Sequence, residues 1–204
     1  MTRTMDIDVA HLPTQLKRAD TAIWWGQLLM MTIEGVLFAV LIASYCYVRV
    51  NFAVWPPPGI ENPDLVLPTI GFVVLLVSCL PMLWSDKALN EKNRNKVLLG
   101  LIINAAMALV FLGIRWREFV AFDFKWNTNI YGSLIWSILG LHTMHTIADT
   151  IETLVFIGIV LTRKVGEKQQ EGLEVDGFYW GFVVVTWVPL FFIIYVYPYL
   201  VKPI

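Results

Sequence analysis

Glu34 stands near the middle of an apolar run, Trp24 to Val48, that is long enough to cross a lipid bilayer. A carboxylate at that depth costs about 3 kcal/mol or more, so it must face a neighbouring helix, a ligand or a water-filled crevice. A second apolar run, 130–162, carries four further ionisable groups: His142, His145, Asp149 and Glu152. At about 100° per residue these fall within roughly an 80° arc of one helix face. Such a chain is expected to hold ionisable groups inside a membrane, on helices that pack against one another.

Composition agrees. Hydrophobic residues make up 57% of the chain and charged residues only 15%, against about 25% charged in soluble domains. The net charge of -1 gives no support for a nucleic-acid partner. Cys46 and Cys79 lie in different apolar runs without metal-type spacing and read as buried thiols. Residues 1–21 form a polar, charged segment, expected to be a cytoplasmic tail and not a signal peptide. Residues 22–204 form one membrane domain.

A bilayer core takes roughly 20 apolar residues as helix. Five segments qualify, at about 22–49, 65–85, 96–115, 130–162 and 178–201. The expected fold class is all-α, an integral membrane bundle of five transmembrane helices. Lys and Arg set its orientation. The tail (Arg3, Lys17, Arg18), the second loop (Lys87, Lys92, Arg94, Lys96) and the fourth (Arg163, Lys164, Lys168) are richer in them than the opposite side. That side has Arg49, Arg115, Arg117, Lys125 and Lys202, so the amino terminus is expected in the cytoplasm. Trp24, Trp25, Trp55, Trp84, Trp116, Trp126 and Trp180 fall near span ends, as interfacial anchors do. The aromatic cluster Phe178, Tyr179, Trp180, Trp187, Phe191, Phe192, Tyr195, Tyr197 and Tyr199 reads mostly as lipid-facing packing and interfacial anchoring. Trp55-Pro56-Pro57-Pro58-Gly59 reads as a rigid outer turn. No internal repeat supports an inverted-repeat transporter.

Three readings of the polar stripe stand side by side. It is a packing seam of hydrogen-bonded side chains. Or it is a metal site, since His and carboxylate ligands on successive turns suit Zn, Mn or Fe, which makes the chain an autonomous membrane metalloprotein using His142, His145, Asp149 and Glu152. Or it is a lipid-headgroup or proton-buffering site, with Glu34 of the first helix expected at the depth of Glu152 and the histidines further out.

The order of short motifs adds to this. Trp24-Trp25-Gly26, Glu34 before Phe38-Ala39, Trp55-Pro56-Pro57, and Leu67-Pro68-Thr69 come first. Trp116-Arg117-Glu118-Phe119, Tyr131-Gly132-Ser133, Gly140-Leu141-His142-Thr143-Met144-His145, Tyr179-Trp180, Phe182-Val183 and Trp187 follow. This succession resembles subunit III of cytochrome c oxidase, in the haem–copper oxidase family, in a short form lacking the first two of seven helices. The resemblance implies an accessory subunit without redox centres. Haem and copper would sit in the partner subunits I and II, and phospholipid would be bound in a cleft. Only three histidines are present, one of them in the tail, which is too few for a haem–copper core. By motif matching, the resemblance assigns Glu34, His145 and the basic residue Arg163 to a lipid-binding set, with His142, Asp149 and Glu152 beside it, and Glu118 to a glutamate of the family; on residue type alone Glu118 reads as a surface acid near Arg115 and Arg117. The expected location is a bacterial plasma (inner) membrane. Thr143 and Asp149 stand where the family has glycine, Gly181 and Val184 replace a histidine and an aspartate, and Asp86 sits where histidine is common. These departures leave a relative associated with nitric oxide reductase as an alternative.

Overall fold

The computed structural model describes residues 21–61, 63–162 and 167–200. These are all-α, with no strand among the described residues. Five helical segments are long and apolar enough to cross a membrane, and the chain is a multi-pass membrane protein. Helices α1 (Ala22–Val50), α2 (Val66–Asn90), α3 (Arg94–Ala121), α4 (Ile130–Thr162) and α5 (Glu167–Phe191) follow in order. A π-helical stretch, Phe192–Val196, and a short α6, Tyr197–Leu200, continue α5. Helix suits these runs, because in hydrocarbon every backbone donor and acceptor must find a partner in the protein, and a helix supplies them all within its own segment.

Local chemistry sets the ends. Thr21 caps α1, its hydroxyl accepting from the Trp24 N–H at 3.3 Å. Lys92, at φ 57°, turns the chain out of α2, and Asn93 caps α3 by accepting from the Lys96 N–H at 3.3 Å. Arg94, the first residue of α3, donates to the Val160 and Leu161 carbonyls at 2.7 and 2.8 Å. It thereby satisfies two of the four carbonyls that the last turn of α4 leaves without partners. One arginine ties the start of α3 to the end of α4.

Helices α2 and α3 form the tightest pair. A side chain at Gly100 would meet Ser85 Cβ at 2.8 Å and the Pro81 carbonyl oxygen at 2.9 Å, so the close approach requires glycine. The Ser85 hydroxyl crosses to the Val97 carbonyl at 3.2 Å. Helix α5 packs on α1, α2 and α4. Its Trp180 donates from Nε1 to the Ser78 hydroxyl of α2 at 3.0 Å. Helix α1 rests on α4 and α5 through Phe38 and Tyr45, while Ile33, Val36 and Val40 stay exposed.

Several sequence expectations change. Helices α2 and α3 run on to Asn90 and Ala121, and α5 begins at Glu167, eleven residues before the expected start at 178. The acids Glu171, Glu174 and Asp176 make that stretch look like loop, yet Asp176 is fully buried in helix. The aromatic residues of α5 and the π-helical stretch that continues it are not mostly lipid-facing: Tyr179, Trp180, Trp187, Phe191 and Tyr195 are buried, because α5 has α1, α2 and α4 packed on it. Trp55 and Trp180 are likewise core residues and not interfacial anchors, each with its indole N–H satisfied inside the protein. Cys46 is exposed and Cys79 half-buried, so neither is the buried thiol expected. Arg115, counted as a loop charge, is buried within α3.

Candidate functional site

Glu34 reaches across from α1 into the seam between α4 and α5. Its carboxylate accepts from the Tyr179 hydroxyl of α5 at 3.0 Å, and its other oxygen lies 3.4 Å from His145 Nε2 of α4. His145 Nδ1 donates to the Leu141 carbonyl one turn back at 2.7 Å. That bond fixes the tautomer: with Nδ1 carrying hydrogen, a single further proton can lie between Nε2 and Glu34. The side chains remain 12% and 19% exposed for His145 and Glu34, so the pair is sheltered without being sealed. Phe38, one turn further along α1, packs against the His145 ring at 5.2 Å. Three helices thus converge on one acid.

The rest of the stripe divides. His142 is fully buried, its Nε2 donating to the Val183 carbonyl at 3.1 Å and its ring lying 4.6 Å from that of Trp187. It clamps α4 to α5 in an aromatic setting. Asp149 and Glu152 turn instead toward Asp176 of α5, with one ligand oxygen from each of the three within 4.8 Å of the others. Asp176 accepts from the Thr153 hydroxyl at 3.2 Å. The four stripe residues therefore share a face but not a centre. Of the residues singled out in the sequence, Glu34 and His145 meet each other, and Asp149 and Glu152 meet each other. His142 joins neither group. Arg163 lies outside the described residues. The histidine at 145 sits level with Glu34, whereas a position further out was expected.

A second buried group lies toward the other end of the bundle. Arg115 and Glu118, one turn apart on α3, pair at 2.6 Å. Tyr195 donates to Glu118 from the π-helical stretch, and the Arg115 guanidinium stands 4.1 Å over the Trp187 ring. Glu118 is no surface acid, as one reading of the sequence had it, because the guanidinium and phenol enclose it. Glu118 and Tyr195 also border a cavity of about 490 Å³ below the Pro58–Gly59 turn.

The sequence model of the family described as cytochrome c oxidase subunit III matches residues 9–199. The chain belongs to that family. A cytochrome c oxidase subunit 3 from Thermostichus vulcanus is 29% identical over 175 residues, covering 84% of this chain and 85% of the relative. One from Synechocystis sp. is 26% identical, covering 84% and 74%. A Prototheca wickerhamii relative is 34% identical over 149 residues, and there the match spans 70% of this chain but only 55% of the relative. Against several relatives of this third kind, the chain spans about half their length.

Sequence reasoning about this subunit III family member missed two of its site residues, Tyr179 and Asp176. Both recur with Val183 and Trp187 along one face of α5 at helical spacing, and that phase carried the available signal. Tyr179 was instead grouped with lipid-facing aromatics, and Asp176 lay in a stretch read as loop.

Proposed function

We propose that this chain is the accessory subunit III of a respiratory haem–copper oxidase. It would lie multi-pass in a bacterial plasma membrane with its amino terminus in the cytoplasm, beside the catalytic subunit I and subunit II. It carries no redox chemistry of its own. Haem and copper belong to the partner subunits, and this chain supports proton uptake and sustained turnover while binding phospholipid. The observation that carries the reading is the Glu34–His145–Tyr179 cluster.

That cluster has the chemistry of a local proton store. The imidazole and carboxylate share one proton, and the Tyr179 hydroxyl stabilises the carboxylate by donating to its second oxygen. Partial exposure lets water or a lipid headgroup reach the pair, while Phe38 and the surrounding helices keep it from full hydration. A protonated His145 presents a cationic donor to a phosphate, and Arg163, the residue that follows Thr162 in the sequence, carries a guanidinium of the kind that pairs with phosphate through two donors.

The test is Glu34→Gln and Glu34→Ala in the assembled complex. Initial oxygen consumption should stay close to that of the unaltered complex, while activity decays faster over repeated turnover and less phospholipid co-purifies. Unchanged decay and unchanged lipid content in both variants would overturn the reading.

A further inference from the structure

We propose that Asp149, Glu152 and Asp176 form a binding site for a calcium-sized divalent cation between α4 and α5, distinct from the Glu34–His145 cluster. The three carboxylates bring ligand oxygens within 4.8 Å of one another. Asp149 is fully buried, and neither of its carboxylate oxygens has a hydrogen-bond partner. A buried carboxylate with both oxygens unmatched needs a counter-charge or a donor. Among the described residues no donor hydrogen-bonds to either oxygen, and the ion pairs at Glu91, Glu118 and Glu34 do not involve this carboxylate. The side chain is instead directed at two further acids.

The donor set chooses the ion. Carboxylate and hydroxyl oxygens without nitrogen or sulfur select hard cations. Two oxygens bound to one Ca²⁺ lie at most about 5.2 Å apart, whereas on Mg²⁺ the limit is about 4.2 Å. A spacing of up to 4.8 Å lies inside the Ca²⁺ limit. Three carboxylates offer up to six oxygens, enough for the lower calcium coordination numbers. Asp176 is already oriented by the Thr153 hydroxyl at 3.2 Å. Glu152 is exposed at the rim and provides the way in. The occupied site would cross-link two helices through their middle turns and neutralise an acid cluster that otherwise repels itself.

The experiment uses the full-length chain purified from its own membrane with whatever subunits it retains, equilibrated with Ca²⁺ at neutral pH and freed of excess. Calcium is counted by inductively coupled plasma mass spectrometry and its affinity measured by calorimetry. The unaltered protein should hold one more Ca²⁺ per chain than Asp149→Asn or Asp176→Asn. Glu152→Gln, which alters only an exposed side chain, should weaken the affinity of that ion at least tenfold, and Glu34→Gln should leave it unchanged. Since Glu34→Gln is the variant that disables the proposed proton store, the two ideas fail separately. Calcium content and affinity equal to the unaltered protein in every Asp149, Glu152 or Asp176 variant that assembles would overturn the proposal.

Discussion

Replacing Glu118 by Gln isolates the energetics of the buried Arg115 group. Arg115 is 2% exposed, and its guanidinium has one carboxylate at 2.6 Å, one phenol at 3.2 Å and a buried Nε without a partner. Gln keeps the shape and an accepting oxygen but removes the charge. The guanidinium is then a buried cation with only neutral neighbours. Removing one member of a buried ion pair costs about 3–5 kcal/mol, and the surviving amide contact places this case near the lower figure. For a chain of this size each kcal/mol moves the melting temperature by about 2–4 °C. The expected loss is therefore roughly 6–12 °C, read as loss of helical circular dichroism on heating in mild detergent. The double variant Arg115→Met with Glu118→Gln removes the stranded charge and should recover at least half of the loss. A single variant melting within about 2 °C of the unaltered protein would refute the reasoning, as would a double variant less stable than the single one.

Gly100→Ala should destabilise by about 1–3 kcal/mol, because its methyl meets Ser85 Cβ at 2.8 Å; Gly113→Ala, with nothing within 4 Å, is the neutral comparison in the same detergent melts. Arg94→Ala uncaps the last carbonyls of α4, so hydrogen exchange of the preceding amides should quicken several-fold while that in the middle of α4 stays unchanged. Tyr179→Phe removes the hydroxyl held by Glu34 and keeps the ring, so the Glu34 carboxyl band in infrared difference spectra should shift without loss of assembly. Trp55→Phe deletes the indole bond to the Tyr45 hydroxyl and should cost about 1 kcal/mol in those melts.

The number of spans was legible in the sequence because continuous apolar runs of about 20 residues or more fit a helix that satisfies its own backbone, and are too long and too uniformly apolar for the alternating strands of a barrel. Polar residues inside those runs were legible for the same reason: Glu34 and His145 had to face protein, and they face each other. What stayed hidden was which helix each group addresses. One arc of α4 points at three different settings on two helices, since successive turns meet the aromatic face of α5 at His142, α1 at His145 and the acid of α5 at Asp149 and Glu152. Periodicity gives direction around a helix but says nothing about what lies opposite. Charge misled at the start of α5 and at Arg115, where hydrophilic side chains are buried and, in the case of Arg115, compensated by long-range partners. Tryptophan misled at Trp55 and Trp180, because a position near a span end is also a position near a loop or neighbouring helix able to cover it.

A haem–copper catalytic subunit is the partner proposed for this subunit III family member. The most direct measurement is a reduced-minus-oxidised visible spectrum of the chain purified from its native membrane in mild detergent, with its companions identified by mass spectrometry. Haem bands, a large multi-helix partner and oxygen consumption by the same particle are expected. A colourless chain recovered alone under conditions that keep it folded would contradict that proposal.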